Sequence, residues 1–375
     1  MSQLVKRKSA LIVKLGQIGD VIMAIPAVHE LYEQGYEIEW VCGRAALPLL
    51  ECYSWINAIP ADDKAIFFGR MSERVKGITS LWSRLIHRQY DLCAILYYDP
   101  RYRLLTLPVR SKLKLQFSRN SRQTSLLAGR HHADEYARFL LGTEDSCREQ
   151  SLLPVRPNRL PVRLWEIKRD SRRIALVPGG VNHLIREQAT GRLPEQALRR
   201  WPVENYVALA QQLIGRGWEI VLLGGAEDSW VKPHFGSMSF IDCLGTLSLP
   251  QVIRACDDCD AVITHDTGPL HLAGLSETSV IGIFGPTDPS TRVPRKSSVV
   301  GIWGGQGFAC RPCYDGRDFA PCTFNGCMHQ VAPELVLREL DQLLEEQAQG
   351  KPRPWRVVSP EGTPVRTHAA LVDLR

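Results

Sequence analysis

The stretch Thr264-His265-Asp266-Thr267-Gly268-Pro269-Leu270-His271 decides the fold of the second half of this chain. It follows the apolar run Ala261 to Ile263, which is typical of a buried strand, and it leads into a short helical pattern over Leu270 to Leu275. A strand that ends in small hydroxyl and glycine residues before a helix presents free backbone N–H groups to an anion. The pattern therefore predicts a phosphate-binding turn, with Thr267 and Gly268 as its contacts.

A second strand, glycine turn and helix occupies Ala10 to Pro26, and here the turn carries the carboxylate of Asp20. Gly16 and Gly19 do not follow the G-x-G-x-x-G order of a dinucleotide site, and no G-x-x-x-x-G-K-[ST] motif occurs. Because Asp20 would repel a pyrophosphate, it is better suited to accept a proton. The alternative is that Asp20 only caps the helix that follows. Two such turns, one acidic and one phosphate-binding, predict two lobes with a cleft between them.

Strand-like and helical segments alternate along most of the chain, which predicts an α/β fold of two Rossmann-like doubly wound domains facing a cleft. The alternation is interrupted from Leu152 to Lys168, where three prolines lie among arginines. The predicted organisation is an N-terminal Rossmann-like domain over 1–155, a linker over 156–172, a C-terminal Rossmann-like domain over 173–350 with a Cys-rich loop at 304–328, and a loosely held tail over 351–375.

The composition favours a globular protein of the cytoplasm. The chain has 375 residues, 44% of them hydrophobic, which is enough for two domains with a core each. No apolar run approaches the ~20 residues that span a bilayer, and the N-terminus lacks the pattern of a signal peptide. Most of the eleven cysteines lie singly in apolar segments, which is typical of reduced thiols.

One block of the chain carries cations without any acid, although the net charge of the whole chain is only +6. Between Arg101 and Arg130 there are eight lysines and arginines and no Asp or Glu. Such a block favours an acidic partner. A nucleic acid is disfavoured, because aromatic residues that could stack on bases are sparse here and no known nucleic-acid module occurs. The other alternative is a plain solvated face.

Three segments together resemble the heptosyltransferase family of bacterial glycosyltransferases: Ile12 to Ala27, Asp266 to His271 and Phe284 to Pro289. The resemblance extends over about residues 10–345 by the order of these motifs. It implies the two-domain GT-B fold, ADP-heptose as the donor, and transfer of heptose with inversion, commonly to the inner core of lipopolysaccharide. It also implies that the N-terminal domain, 1–155, binds the acceptor and that the C-terminal domain, 173–350, binds the nucleotide sugar. By the same resemblance, Asp20 is the general base.

Inverting transfer needs a base on one side of the sugar and a cationic or N–H-rich pocket for the departing diphosphate on the other. Arg199 stands before Trp201-Pro202, where many family members carry a lysine, so the resemblance implies that it contacts the diphosphate. The alternative for Arg199 is a surface position. His271 is suited either to donate to a phosphate oxygen or to pack, and Asp266 to cap the helix or orient the turn.

Two glycine turns complete the predicted donor site. Gly179 and Gly180 end a strand and resemble the glycine turn of the family that faces the donor. Asp228 matches the acidic residue of the family that binds the ribose hydroxyls, and a carboxylate accepts such a pair of donors well. Glu227 is adjacent and is the alternative ribose ligand.

Four cysteines near the C-terminus have the spacing of a metal site: Cys310-x2-Cys313-x8-Cys322-x4-Cys327. Four thiolates suit a structural zinc or iron, and the sequence does not choose between them. No carboxylate, histidine or open coordination position is evident beside them, so we expect transfer itself to need no cofactor. The alternative is that the thiols stay reduced and pack a loop.

The sequence therefore predicts a cytoplasmic glycosyltransferase that moves heptose from ADP-heptose to an acidic glycolipid, with no nucleic-acid partner. Peripheral contact with the inner membrane and a homo-oligomeric state are both compatible with it. Two alternatives stay open. One is a heptosyltransferase with a protein acceptor of the autotransporter type. The other is a non-catalytic nucleotide-binding relative, in which Asp20 only caps its helix.

Overall fold

The computed structural model describes residues 7–142, 152–165, 171–180, 195–315, 318–361 and 364–367. The chain forms two compact units, the first made of Met1–Leu127 with His132–Arg159 and the second of Ala128–His131 with Leu160–Arg375. The division after Arg159 falls inside the predicted linker, 156–172. Residues 166–170 of that linker lie outside the described residues.

The first unit is built on one sheet. Its strands are β1 (Lys8–Val13), β2 (Tyr36–Gly43), β3 (Ile56–Ala61), β4 (Gln89–Ile95) and β5 (Arg110–Gln116). They pair in parallel in the order β3-β2-β1-β4-β5. The helices are α1 (Ile18–Glu33), α2 (Leu47–Leu50), α3 (Asp63–Phe68), α4 (Met71–Leu85), α5 (Tyr102–Leu105) and α6 (His132–Leu141). The central strand β1 is apolar from Ala10 onward and fully buried there, as a strand covered on both faces must be.

The second unit is built on a larger sheet. Its strands are β6 (Arg173–Val177), β7 (Glu219–Gly224), β8 (Ile241–Leu244), β9 (Ala261–His265), β10 (Ser279–Phe284), β11 (Val299–Trp303), β12 (Arg356–Val358) and β13 (Pro364–Thr367). Their order is β13-β12-β11-β10-β9-β6-β7-β8, and the pairs are parallel except β12 with β13.

The helices of the second unit are α7 (Glu195–Leu198), α8 (Val203–Gly215), α9 (Lys232–Phe235), α10 (Leu249–Asp257), α11 (Gly268–Gly274), α12 (Gly326–His329) and α13 (Pro333–Ala348), with 3-10 helices at Ala226–Val231 and Pro289–Thr291. Both sheets follow the predicted alternation of strand and helix. The α/β class with two Rossmann-like units is therefore confirmed.

The prediction of a loosely held tail is wrong for Arg356–Val358, because these residues form β12 and are buried beside β11. The guanidinium of Arg356 lies 3.3 Å from a carboxylate oxygen of Glu339 and 3.2 Å from one of Glu346, both on α13. Two buried carboxylates on one helix need a cation, and the tail supplies it. Residues 362–363 and 368–375 of the predicted tail lie outside the described residues.

Candidate active site

In both sheets the candidate residues lie where the strand order reverses. The order reverses between β1 and β4 in the first unit and between β6 and β9 in the second. The carboxyl ends of the two strands at such a switch point diverge into different connections, and the crevice between them is where open parallel sheets bind ligands. Asp20 follows β1, Gly179-Gly180 follow β6, and Asp266 to Gly268 follow β9.

Asp20 lies in the first turn of α1, and the N-cap position of that helix is taken by Gln17. Gln17 adopts a positive φ of 61°, which turns the chain from the strand into the helix. The Oδ2 atom of Asp20 is 2.9 Å from Nζ of Lys14, at the end of β1. The carboxylate is thus held by an ion pair from the preceding strand.

Lys14 is a residue whose importance the sequence analysis missed. Its side chain is buried, and Nζ lies 5.1 Å from the centroid of the Tyr97 ring, just beyond β4. A buried ammonium is costly unless an anion pairs with it, so the Lys14 and Asp20 side chains fix each other's positions. The available signal was a lone lysine at the end of an otherwise apolar run, six residues before the acid.

The turn after β9 meets the glycine turn after β6. Gly180 has a φ of 94°, and a Cβ added to it would lie 3.0 Å from Cγ2 of Thr267. Thr267 is the N-cap residue of α11, and Gly268 is the first residue of the helix. The structure therefore brings together the two turns that the sequence predicted to face the donor. The backbone N–H groups at the start of α11 are of the kind that binds a phosphate oxygen.

Asp266 is buried at the centre of this region and has a network of its own. Its Oδ2 accepts a hydrogen bond of 2.7 Å from the Thr287 hydroxyl. A guanidinium nitrogen of Arg199 donates to the main-chain carbonyl of Asp266 at 3.0 Å and lies 3.5 Å from Oδ2. Burial alone would raise the pKa of Asp266, but Arg292 and Arg199, with smaller contributions from Thr287 and His271, hold it well below its usual range.

Positively charged side chains thus stabilise the buried carboxylate of Asp266 at the predicted phosphate-binding turn. Arg199 and His271 are two of the residues predicted to contact the diphosphate, and both lower the pKa of Asp266. Arg292 was not predicted, because it comes from the segment after β10 and no local motif marks it. Two arginines around one carboxylate leave a net positive charge, which suits a diphosphate.

His265, immediately before Asp266, is a buried neutral side chain. Its Nδ1 lies 3.0 Å from the hydroxyl of Tyr206, on α8. Burial, followed by the nearby charges of Arg200 and Arg199, lowers the pKa of His265 to about 3. The imidazole is therefore uncharged at neutral pH and is buried at the end of β9.

Both carboxylate oxygens of Asp228 accept hydrogen bonds from the backbone of two glycine turns. Its Oδ1 accepts from the N–H of Gly180 and its Oδ2 from the N–H of Gly225, both at 2.7 Å. A Cβ at Gly179 would lie only 2.2 Å from Cγ of Asp228, so glycine is required there. Asp228 thus joins the two turns, whereas Glu227 beside it is exposed. The assignment of the ribose to Asp228, with Glu227 as the alternative, stays a prediction.

Three of the four cysteines lie between β11 and α12 of the second unit, and Cys327 lies in α12. Cys310 is exposed, and Cys313, Cys322 and Cys327 are half-buried free thiols. Burial raises the pKa of Cys327 to about 11, and the charges of Cys313, Cys322 and Cys310 add to the shift. Among the described residues no group of three or more Cys, His, Asp or Glu is arranged to hold a metal ion. The metal assignment therefore stays a prediction.

The described part of the chain contains no helix that is both long and apolar enough to cross a bilayer.

The basic block is partly neutralised by acids that precede it. Arg101 pairs with Asp99 at 2.6 Å, and Lys112 pairs with Asp91 at 2.7 Å.

Comparison with known proteins gives three kinds of likeness. The family model Glycosyltransferase family 9 (heptosyltransferase) matches residues 188–324. The chain is 23% identical over 299 residues to the lipopolysaccharide core heptosyltransferase OpsX of Haemophilus influenzae, which is 76% of this chain and 82% of that protein. Its fold is similar to that of Escherichia coli ADP-heptose LPS heptosyltransferase II, with a TM-score of 0.66, 19% identity, and coverage of 91% of this chain and 99% of that one.

A further structural likeness is to the iron-containing dodecameric glycosyltransferase TibC from enterotoxigenic E. coli, with a TM-score of 0.58, 13% identity, and coverage of 91% of this chain and 77% of that one. At such identities the likeness to solved structures establishes a shared fold. The family match, 188–324, contains Arg199, Asp228 and the turn after β9. Asp20 lies outside it.

Proposed function

We propose that this chain, which carries a glycosyltransferase family 9 (heptosyltransferase) domain, transfers heptose from ADP-heptose to an acidic glycolipid such as the inner core of lipopolysaccharide. The resemblance to heptosyltransferases seen in the sequence is confirmed by the family match and by OpsX, and the chain is a glycosyltransferase. OpsX is a lipopolysaccharide core enzyme by name, and the E. coli structure is of an enzyme named for ADP-heptose.

The observation that carries this proposal is the switch point of the second sheet. There the start of α11 meets the Gly179-Gly180 turn, with Arg199, Arg292 and His271 around the buried Asp266. Small residues let a diphosphate approach the backbone closely, and the cations stabilise the charge that grows on it as it leaves. Thr267 and Gly268 are assigned to the phosphates, and Asp228 or Glu227 to the ribose.

The reaction is an inverting displacement in a single step. Asp20 accepts the proton of the acceptor hydroxyl, whose oxygen forms a bond to the anomeric carbon of heptose. The bond from that carbon to the β-phosphate oxygen breaks, and its electron pair leaves with ADP. Arg199 and the N–H groups at Thr267 and Gly268 bind the charge on the departing diphosphate. The ion pair of Asp20 with Lys14 supports this role, because it fixes the carboxylate at 2.9 Å from a buried cation.

A transfer assay tests the proposal directly. The purified chain is mixed with ADP-heptose and lipopolysaccharide from a strain whose inner core lacks heptose, and the product is analysed by mass spectrometry. We expect a mass gain of one heptose and release of ADP, and the anomeric configuration of the product by NMR tests inversion. UDP-glucose and GDP-mannose serve as matched donors that should give no product. Transfer from those donors alone would contradict the choice of ADP-heptose.

A protein acceptor is the second candidate, because the sequence leaves this alternative open. The acidic glycolipid is favoured by the basic block of the first unit, which suits a phosphorylated, acidic core. An autotransporter passenger protein in the same assay separates the two. Binding of ADP-heptose in a thermal-shift measurement, without transfer to either acceptor, would instead indicate a non-catalytic relative.

A structural metal is proposed at Cys310, Cys313, Cys322 and Cys327. Thiolates suit zinc or iron, and the backbone approaches Cys327 closely: a Cβ at Gly285 would lie 2.6 Å from its sulfur. The metal would stabilise the loop and take no part in transfer. Elemental analysis of the purified protein tests this, and a Cys313→Ser/Cys322→Ser variant should lose the bound metal and melt at a lower temperature.

The location of the protein follows from the same proposal. Transfer to a growing glycolipid core places the enzyme in the cytoplasm with peripheral contact to the inner membrane. A homo-oligomer is compatible, since TibC is described as dodecameric. Light scattering of the purified chain measures the oligomeric state.

A further inference from the structure

Exposed apolar side chains are unevenly distributed over the described residues. Twelve large hydrophobic side chains are exposed, and seven of them lie between Phe68 and Leu113 in the first unit. Phe68 is 82% exposed, Met71 73% and Val75 53%. Phe68 ends α3, whereas Met71 and Val75 stand one helical turn apart in α4. Single exposed apolar side chains are normal on a protein surface. A cluster of them, by contrast, marks an interaction surface.

The same part of the chain has a large excess of positive over negative charge. From Lys64 to Lys114 there are eleven lysines and arginines and three acidic residues, a net charge of +8, whereas the whole chain carries +6. The three acids are already engaged: Glu73 caps α4 through the N–H of Arg70, Asp91 pairs with Lys112, and Asp99 with Arg101. The apolar side chains are thus set among cations.

The elements that carry these residues are packed together. The indole N–H of Trp82, on α4, donates to the carbonyl of Leu104, on α5, at 2.8 Å. The Phe67 ring, on α3, stacks on the Tyr102 ring, on α5, with centroids 5.0 Å apart. We call this surface the apolar-basic face and define it by Phe68, Met71, Val75, Leu104 and Leu107, which are all exposed.

A continuous chain of contacts joins this face to Asp20. Asp20 pairs with Lys14, and Lys14 lies against the Tyr97 ring. The Tyr97 ring contacts that of Tyr102 with centroids 4.6 Å apart, and Tyr102 stacks on Phe67, the neighbour of Phe68. The face and Asp20 are therefore connected through packed side chains of the same unit.

We propose that the apolar-basic face docks the first unit on an anionic lipid bilayer, so that the head group of a membrane-bound acceptor reaches Asp20. Exposed apolar side chains flanked by lysines and arginines enter the boundary between head groups and acyl chains, and the cations bind the anionic surface. A second copy of the chain is a poor occupant, because two faces of net positive charge would repel. This inference rests on the proposed glycolipid acceptor and adds the surface that presents it.

Vesicle sedimentation tests the docking. The full chain is spun with vesicles of phosphatidylethanolamine and phosphatidylglycerol, and separately with vesicles of phosphatidylcholine. We expect binding to the anionic vesicles that weakens as salt is raised from 50 to 500 mM. Phe68→Ser/Met71→Ser should weaken this binding by on the order of tenfold or more. Arg70→Gln/Lys76→Gln should weaken it by about fivefold for each cation removed.

Matched variants outside the defined face are the controls. Leu153→Ser/Val162→Ser removes two exposed apolar side chains and Arg338→Gln/Lys351→Gln removes two cations, and both should bind vesicles as the parent chain does. Equal binding by the face and control variants would overturn the inference, as would equal binding of the parent chain to both kinds of vesicle.

A soluble acceptor separates this inference from the proposed function. The face variants should transfer heptose to an acceptor without acyl chains as fast as the parent chain, and lose activity only on acceptor embedded in anionic vesicles. Loss with the soluble acceptor as well would show that the face acts in catalysis and overturn docking as its role. If the parent chain binds vesicles through the face but transfers no heptose, the proposed function fails and the docking stands.

Discussion

The two switch points use the same kind of ion pair in opposite senses. In the first unit the cation is buried and the anion faces outward: the Lys14 side chain is 2% exposed and that of Asp20 is 23% exposed. In the second unit the anion is buried and the cation faces outward: Asp266 is 2% exposed and Arg199 is 22% exposed. The buried partner fixes the exposed one in both. The two units therefore present a carboxylate at one switch point and a guanidinium at the other.

Removal of the exposed anion is expected to have the largest effect. Asp20→Asn keeps the size of the side chain but cannot accept the proton, so the rate of transfer should fall by about 10²–10⁴-fold. ADP affinity, measured by calorimetry, should not change, because the proposed nucleotide site is in the other unit. The control is Glu37→Gln, an exposed acid of β2, which should leave the rate as it is. A rate for Asp20→Asn within twofold of the parent would break the comparison.

Removal of the exposed cation should act on the leaving group. Arg199→Met deletes a charged donor to the diphosphate, and we expect a loss of about 10–10²-fold in kcat/KM together with weaker ADP binding. Arg199→Lys should recover part of the loss, because lysine restores the charge without the planar fork. Full activity in Arg199→Met would show that Arg199 serves only to satisfy Asp266.

Replacement of the buried cation sharpens the comparison, because it separates position from charge. Lys14→Met retains the apolar stem and removes the ammonium, so the fold should keep its melting temperature to within a few degrees. The Asp20 carboxylate would no longer be held in place, and we expect transfer to slow by about tenfold. Calorimetry and steady-state rates measure the two effects. A lower melting temperature with an unchanged rate would assign Lys14 to stability alone.

The smallest expected effect concerns the layer beneath the second site. The pKa of His265 is lowered to about 3 in the folded chain, so between about pH 6 and 4 the unfolded chain binds one more proton there. The stability contributed by the neutral imidazole is therefore present above pH 6.5 and falls by about 1.4 kcal/mol for each pH unit below it. His265→Gln retains an acceptor for Tyr206 and does not titrate.

Urea unfolding of both proteins at pH 7, 6, 5 and 4 measures this difference. The slope of the unfolding free energy against pH should be shallower in His265→Gln by about one proton. Parallel slopes would show that His265 titrates in the folded chain as it does in the unfolded one.

The prediction from sequence succeeded where a local pattern specifies a local structure. The predicted helix at Leu270 to Leu275 is observed as Gly268–Gly274, and the predicted strand at Ala261 as β9. The prediction of a loosely held tail failed, because the order of Arg356–Val358 comes from pairing with β11 and from an ion pair with α13, and neither is visible in the local sequence. Arg292 was missed for the same reason: its contribution at Asp266 depends on a neighbour 26 positions away.

The class of fold, the two strand-turn-helix motifs and the family resemblance could be predicted from the residue order alone, because strand and helix periodicity and turn chemistry are properties of neighbouring residues. Only the tertiary structure decided which partner of each ion pair is buried, that Asp228 joins two glycine turns, and that Lys14, Tyr97, Tyr102 and Phe67 connect Asp20 to an exposed apolar face. These features depend on burial and on contacts between distant segments, which arise when strand order brings the ends of separate strands together.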